Sequence, residues 1–232
     1  GRRRENAMIK KIFPWLGREF VELSAEAKSA GAPAEHAREI FARFDSELKA
    51  LGLSLDDTVR SRLWGRDRKS RDQGSEERVR ALSGRARSAS SSFIAPDRFD
   101  SGASVAVDLV AMRPARPCDK ILKEYDPPIT PLRYLVYDSV VVLSGVTAVL
   151  PTLEDQMGNI LSRIGGSLAD AGASWEKVVK ISFYLHRSQT IDALNALFRK
   201  VVSADIPQME YAFVDGYSAE GKLIEIETTA RL

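Results

Sequence analysis

The chain has 232 residues, of which 44% are hydrophobic and 28% are charged, and this composition excludes a disordered polymer. No stretch approaches the roughly 18 consecutive apolar residues that a membrane span requires, so we predict no membrane-spanning segment. One cysteine and two histidines are too few for a disulfide framework and leave little material for a zinc site, so we expect a cytoplasmic protein.

Charge is distributed unevenly along the chain. Residues 1–118 carry a net charge of +6, whereas residues 119–232 carry −4. The basic residues of the first half alternate with acidic ones and do not cluster with aromatic residues, so we expect no nucleic-acid partner. Opposite charges favour docking between the two halves, or between neighbouring chains.

The sequence repeats itself at an offset of 120 residues. Residues at matching places are Val21 and Val141, Leu23 and Leu143, Ser24 and Ser144, Gly52 and Gly172, and Val59 and Val179. Because the matching spacing extends from one strand through a helix into the next strand, we interpret the chain as a tandem duplication. Five of the ten prolines lie between Arg113 and Leu132, which predicts an extended connector. We therefore divide the chain into a first domain (8–113), a proline-rich linker (114–132) and a second domain (133–232).

Each copy has the same predicted order of elements. In the first copy we predict strands at 20–23, 58–64, 88–94 and 105–112, with helices at 34–51 and 75–82. In the second copy the corresponding strands are 140–143, 178–185, 211–214 and 223–230, with helices at 153–171 and 191–202. Gly52 and Gly172 follow the first helix of each copy, where a left-handed cap should end it. The predicted class is α+β, with the order β-β-α-β-α-β-β and helices packed on one face of a mixed sheet.

Short motifs of the second copy point to a family. They are residues 142–145 (VLSG), Gln156, residues 171–174 (AGAS), Asn195, Pro207 and residues 224–227 (IEIE). In this order and spacing the second copy resembles the RidA/YjgF family (Rid, reactive-intermediate deaminases), and the first copy resembles a divergent member. The resemblance implies two tandem Rid-like, chorismate-mutase-like units and a homo-oligomer, with a trimer favoured and ligand pockets between units.

The resemblance also implies a reaction. The family hydrolyses enamines and imines to a 2-keto acid and ammonia, without a metal or cofactor. An arginine holds the substrate carboxylate through two parallel charge-assisted bonds, and a carboxylate activates or orients the attacking water. The sequence contains no phosphate-binding loop, HExxH motif, GxSxG elbow or dinucleotide-binding glycine pattern, so we expect no cofactor and no metal.

The two copies have each lost one of these groups. Met209 occupies the place of the family arginine in the second copy, whereas Arg87, followed by Ser88, falls on that place in the first. Conversely, Ala106 stands in the first copy where the second has Glu225. We predict a composite site in which Arg87 binds the substrate carboxylate and Glu225 is the general base or water-orienting group.

Alternatives remain open for these residues. The predicted substrate-binding residues are Arg87, Ser88, Ser144, Met209 and Ser24. Arg87 could instead form a surface ion pair, and the two serines that match the family serine could form hydrogen bonds at strand ends. Glu225 and Glu227 share one face of an alternating strand, which is also the pattern of an exposed acidic stripe.

The leading hypothesis is a Rid-like protein that acts on a small carboxylate-bearing metabolite. One alternative is a pathway enzyme of altered chemistry, since the chorismatases are two-domain relatives of this fold that hydrolyse cyclic carboxylates. Another is a non-catalytic metabolite-binding or scaffold protein, in which site residues were lost because turnover was no longer selected.

Overall fold

The first domain has the predicted order of elements. The computed structural model describes residues 8–28 and 30–232. Within them the first domain comprises β1 (Ile9–Trp15), β2 (Arg18–Glu26), α1 (Pro33–Ala50), β3 (Thr58–Gly65), α2 (Arg68–Ala81), β4 (Ala89–Ile94) and β5 (Val105–Arg113).

The second domain repeats this order and begins with an additional strand. It comprises β6 (Lys120–Lys123), β7 (Tyr134–Tyr137), β8 (Val140–Val146), α3 (Leu153–Asp170), β9 (Val178–His186), α4 (Ile191–Val201), β10 (Gln208–Val214) and β11 (Ile224–Arg231). β6 lies inside the stretch predicted as an extended connector. It pairs antiparallel with β7, with Lys120 opposite Tyr137, because the free edge of β7 offers unpaired backbone groups. The linker is therefore partly a strand of the second sheet.

Each domain has one mixed sheet. The first sheet has the strand order β1-β2-β5-β3-β4 and the second β10-β9-β11-β8-β7-β6. β4 runs parallel to β3, and β10 runs parallel to β9, whereas the other neighbouring strands are antiparallel. The predicted α+β class with two tandem units is confirmed.

The first helix of each domain buries the same four positions of the repeat. They are Ile40, Phe41, Phe44 and Leu48 in α1, and Ile160, Leu161, Ile164 and Leu168 in α3. Burying an apolar side chain of this size contributes roughly 1.5–3 kcal/mol to folding. Each helix ends as predicted, since Gly52 and Gly172 have φ angles of 73° and 82°, which residues with a side chain rarely adopt.

α2 begins seven residues before the predicted start at residue 75. The side chain of Asp67 accepts a hydrogen bond from the backbone N–H of Ser70 at 2.8 Å, which satisfies a donor that the first turn leaves free. The added turns bring Arg71 into the helix. Because Arg71 and Arg78 are seven residues apart, they lie on the same side of α2.

The two sheets pack against each other on the faces away from their helices. β4 lies beside β8, and the backbone N–H of Ser90 donates to Oγ of Ser144 at 3.0 Å. Apolar residues shared by the domains are Phe20, Val59, Ala89 and Met112 from the first, and Leu132, Leu135, Tyr137, Val140 and Val142 from the second. All eight residues of β3 are consequently buried. Among the described residues, no helix has the length and apolar character needed to cross a membrane.

Candidate functional site

A cavity of about 940 Å³ opens between the two domains. The first domain contributes polar residues of α2 and β4: Arg71, Arg78, Ser90, Ser91 and Ser92, together with Arg87 just before β4. The second domain contributes Gly145, Thr147, Arg163, Ser218, Lys222 and Glu225. Tyr125, Ile129, Thr130 and Pro131, from the predicted linker, form a further wall. The cavity is thus a composite of both domains and the segment that joins them.

Glu225 and Arg87, the two residues predicted to share a site, both line this cavity. They come from different domains, because Glu225 lies on β11 of the second domain and Arg87 precedes β4 of the first. The cavity is therefore lined by a cation of the first domain and a carboxyl group of the second.

The carboxyl group of Glu225 is buried, with 4% of the residue exposed. A Cβ atom on Gly145 would collide with its Oε2 atom and would lie 2.8 Å from its Cδ, so the missing side chain of Gly145 makes room for the carboxyl. Among the described residues, none donates a hydrogen bond to Glu225. Burial, reinforced by the charge of Glu227, raises the pKa of Glu225 to about 8, although Lys222, Arg78 and Arg71 oppose the rise. Glu225 is therefore mostly protonated at pH 7.

Two arginines of α2 supply positive charge near Glu225. Nη1 of Arg78 donates to the carbonyl oxygen of Ser91 at 2.6 Å, and burial lowers the pKa of Arg78 to about 10. Nη1 of Arg71 donates to Oγ of Ser92 at 2.7 Å. These bonds hold both guanidinium groups against β4, facing the cavity.

Lys222 adds a third cation close to Glu225. Its Nζ atom donates to Oγ of Ser218 at 2.6 Å, and burial lowers the pKa of Lys222. Arg163, on α3, donates to the carbonyl oxygen of Thr147 at 2.7 Å. Cations therefore outnumber acidic groups around Glu225, and the arrangement suits an anionic ligand.

Arg87 is already paired within the chain. Its Nε atom lies 2.7 Å from Oε1 of Glu124, and its Nη2 donates to Oε2 of Glu124 at 2.8 Å and to the carbonyl oxygen of Ile129 at 3.3 Å. Arg87 thus fastens the linker wall to the first domain. A ligand carboxylate that binds Arg87 must use its remaining nitrogen or displace Glu124.

Met209 and Ser24, both predicted as substrate-binding residues, do not line this cavity. Met209 lies on β10, packs against the core of the second domain and contacts Arg199 through its sulfur at 3.7 Å. Ser24 lies on β2, opposite Ile9 and Asp108. The reason is that the cavity lies beside β4 of the first copy and β8 of the second. Ser24 is the repeat equivalent of Ser144. The strand register makes Met209, which lies opposite Ile181, the equivalent of Ser90, which lies opposite Ser61. The residue of the first copy that corresponds to Met209 is therefore Ser90, and Arg87 lies three residues before it.

The other two predicted serines border the cavity without lining it. Ser88 is buried and its hydroxyl oxygen has no hydrogen-bond partner. Ser144 precedes Gly145, and its hydroxyl oxygen accepts the bond from Ser90 that joins the domains. Ser144 thus has a structural role at the interface in this conformation, and the serine hydroxyls nearest to a ligand belong to β4.

The exposed acidic stripe considered for β11 is excluded, because Glu225 and Glu227 are 4% and 2% exposed. The sequence reasoning also missed Arg71, Arg78 and Lys222. The one available signal was the seven-residue spacing of the two arginines, which places them on one side of a helix.

Residues 127–232 match the family described as endoribonuclease L-PSP. The matched stretch covers the second domain and the end of the predicted linker. The match to the L-PSP family and the repeat of the fold confirm the relationship that the motifs of the second copy predicted.

One solved structure shares the fold over nearly all of this chain. A chorismatase crystal structure aligns with 95% of this chain, and the alignment includes 79% of the chorismatase chain, with a TM-score of 0.67 and 14% identity. A YjgF/YER057c/UK114-family protein from Mycobacterium tuberculosis covers 49% of this chain and 100% of its own, with a TM-score of 0.43 and 21% identity. RidA from an Antarctic Psychrobacter covers 45% of this chain and 89% of its own, with a TM-score of 0.42 and 21% identity. No curated protein is similar enough in sequence to count as a match.

Proposed function

We propose that this protein binds a small carboxylate-bearing metabolite between its two domains and hydrolyses an enamine or imine bond there, without a cofactor. The observation that carries this proposal is that Arg87 and Glu225 line one cavity, although each comes from a different copy of the repeat. An arginine for the substrate carboxylate and a carboxyl group for proton transfer are the two groups that this hydrolysis needs.

The charge state of Glu225 suits both halves of the reaction. Because its pKa is about 8, the carboxyl group of Glu225 carries a proton at neutral pH. It can donate that proton to the terminal carbon of an enamine such as 2-aminoacrylate. The product is an iminium ion and a carboxylate. Water then attacks the iminium carbon while the carboxylate of Glu225 accepts its proton, and the resulting carbinolamine releases ammonia and leaves pyruvate.

Turnover of 2-aminoacrylate, generated in situ, tests this function. We expect Glu225→Gln to lower kcat/KM by about 10²–10⁴-fold, because proton transfer is lost. We expect Arg87→Ala to lower it about 10- to 100-fold through the loss of charge-assisted bonds. Arg85→Ala is the matched control, since the Arg85 side chain is 74% exposed and lies 3.9 Å from Asp119. Equal rates of ammonia release in all four proteins would overturn the proposal.

A second function is favoured by the size of the cavity. A volume of about 940 Å³ is near the upper end of the roughly 300–1,000 Å³ range for small-molecule sites, and it exceeds what a three-carbon substrate fills. Together with the fold shared with the chorismatase, this supports hydrolysis of a larger cyclic carboxylate. Incubation with chorismate and chromatography of the products distinguishes the two functions, since only this second one consumes chorismate. Thermal stabilisation by 2-keto acids without any turnover would instead favour a binding protein.

A further inference from the structure

β11 carries two buried carboxyl groups on one face. Glu225 and Glu227 are 4% and 2% exposed. Because they are two residues apart on one strand, their side chains lie on the same side of the sheet and their Cα atoms are roughly 7 Å apart. Glu225 lines the cavity, whereas Glu227 does not. The two groups differ sharply in their partners.

Glu227 is held by donors from three strands. Nε of Arg62 donates to both of its oxygens, at 2.8 and 2.9 Å, and Oγ of Ser91 donates to Oε2 at 2.5 Å. The hydroxyl of Tyr184 donates to Oε1 at 3.3 Å, and Nε of Arg60 lies 3.8 Å from the same oxygen. Hydrogen bonds and two cations favour the ionised form, and they lower the pKa of Glu227.

Glu225 lacks such hydrogen bonds, although the cations Lys222, Arg78 and Arg71 favour its ionised form. Among the described residues it accepts no hydrogen bond, and Glu227, the acidic group that acts on it, is a carboxylate fixed as an anion. At an effective dielectric constant near 20, a like charge about 7 Å away disfavours ionisation by between one and two pH units. Burial acts in the same direction.

We propose that Glu227 is a positioning residue for the cavity, where Arg60 and Arg62 of the first domain fix its carboxylate and this fixed charge keeps the proton on Glu225. The inference deepens the proposed function, on which its catalytic consequence rests, by naming what sets the charge of the acid–base group. It also identifies a contribution of the divergent first domain, whose β3 supplies both arginines.

Other charged groups surround the pair. The titratable and charged residues that act on Glu225 or Glu227 from the packed elements are Arg60, Arg62, Arg71, Arg78, Tyr184, Tyr217 and Lys222. The cations among them that act on Glu225 favour its ionisation. Among these described groups, Glu227 is the one whose charge opposes ionisation of Glu225, so we expect its removal to lower the pKa of Glu225.

The test is a ¹³C NMR titration of the glutamate δ-carboxyl signals in the full chain. Loss of one signal in Glu225→Gln assigns Glu225. In the wild type its titration midpoint is expected near pH 8, and in Glu227→Gln we expect the midpoint to fall by about one pH unit or more. The control is Asp138→Asn, which breaks another ion pair between the domains, Arg18 Nε to Asp138 Oδ2 at 3.1 Å, and should leave the midpoint unchanged.

A Glu225 midpoint in Glu227→Gln equal to that of the wild type overturns the inference. If Glu227→Gln does not fold, the neutral pair Arg62→Met with Glu227→Gln decides the question, because it removes the buried charge together with its main partner. We expect a smaller fall of the midpoint in the same direction, and an unchanged midpoint again overturns the inference. The titration requires no turnover, so a failure of the proposed hydrolysis is recognised separately in the 2-aminoacrylate assay.

Discussion

Arg62 and Glu227 form a buried ion pair between the two domains, in which one guanidinium nitrogen donates to both carboxylate oxygens at 2.8 and 2.9 Å. Their side chains are 11% and 2% exposed. An ion pair so deeply buried has lost most of its hydration, and therefore its energetic effect depends on which partner is removed.

Removing Arg62 alone should destabilise the protein strongly. Arg62→Met leaves Glu227 buried with only Arg60 as a distant cation, and we expect a loss of about 3–5 kcal/mol in the free energy of unfolding. Arg62→Met combined with Glu227→Met replaces the pair by apolar side chains and should recover most of this loss. Urea unfolding at pH 7 measures both variants. A double variant as unstable as the single one would contradict the argument.

The second prediction concerns the close contact between Gly145 and Glu225. In Gly145→Ala the added methyl group collides with Oε2 of Glu225, so the carboxyl must move away from its present position in the cavity. Since acid–base catalysis depends on position to within about an ångström, we expect turnover of 2-aminoacrylate to fall by about 10²-fold.

Gly158→Ala is the matched control for this variant. Gly158 lies within α3, and nothing lies within 4 Å of an added Cβ atom. Alanine there should raise the stability by up to about 1 kcal/mol and leave turnover unchanged. Equal turnover in Gly145→Ala and Gly158→Ala would show that the position of Glu225 does not matter for the reaction.

The repeat and the fold were predictable because burial constrains the same positions twice. Phe44 and Ile164, or Leu48 and Leu168, occupy matching places and are all 0% exposed, so their apolar character survives in both copies. Buried positions on a helix recur with its period, and this recurrence is what a sequence displays most clearly.

The candidate site was only partly predictable, for two physical reasons. α2 is rich in charged residues and shows no apolar periodicity, so its early start at the Asp67 cap and the placement of Arg71 were missed. Met209 was assigned to a pocket because of its place in the family pattern. That pattern does not tell which side of each copy faces the other, and the packing of β4 beside β8 decides it.

The third prediction is a pH dependence of stability caused by Glu225. Its folded pKa of about 8 lies above the ordinary glutamate value of 4.5, so the folded state binds the proton more tightly than the unfolded chain. Stability is therefore unaffected by this group below about pH 4.5 and decreases as the pH rises from 4.5 to 8.

Glu225→Gln removes this loss of stability. The variant and the wild type should have similar stability at pH 4.5, and the variant should be more stable at pH 8.5 by a few kcal/mol, since each pKa unit corresponds to about 1.4 kcal/mol. Unfolding in urea at several pH values measures the difference. A difference that stays constant between pH 4.5 and 8.5 would contradict a raised pKa.

The last prediction separates the two roles of Arg87. Because Glu124 accepts a hydrogen bond from Nη2 of Arg87 and lies 2.7 Å from its Nε, a ligand carboxylate competes with it. A partly exposed ion pair of this kind contributes about 0.2–1 kcal/mol, so Glu124→Gln should tighten the binding of pyruvate by a factor between about 1.4 and 5. Arg87→Ala should weaken binding instead, and Arg85→Ala should leave it unchanged. Isothermal titration calorimetry measures all three. If Glu124→Gln weakens the binding of pyruvate as Arg87→Ala does, the role of Arg87 is only to hold the linker against the first domain. The carboxylate is then bound by the cations around Glu225.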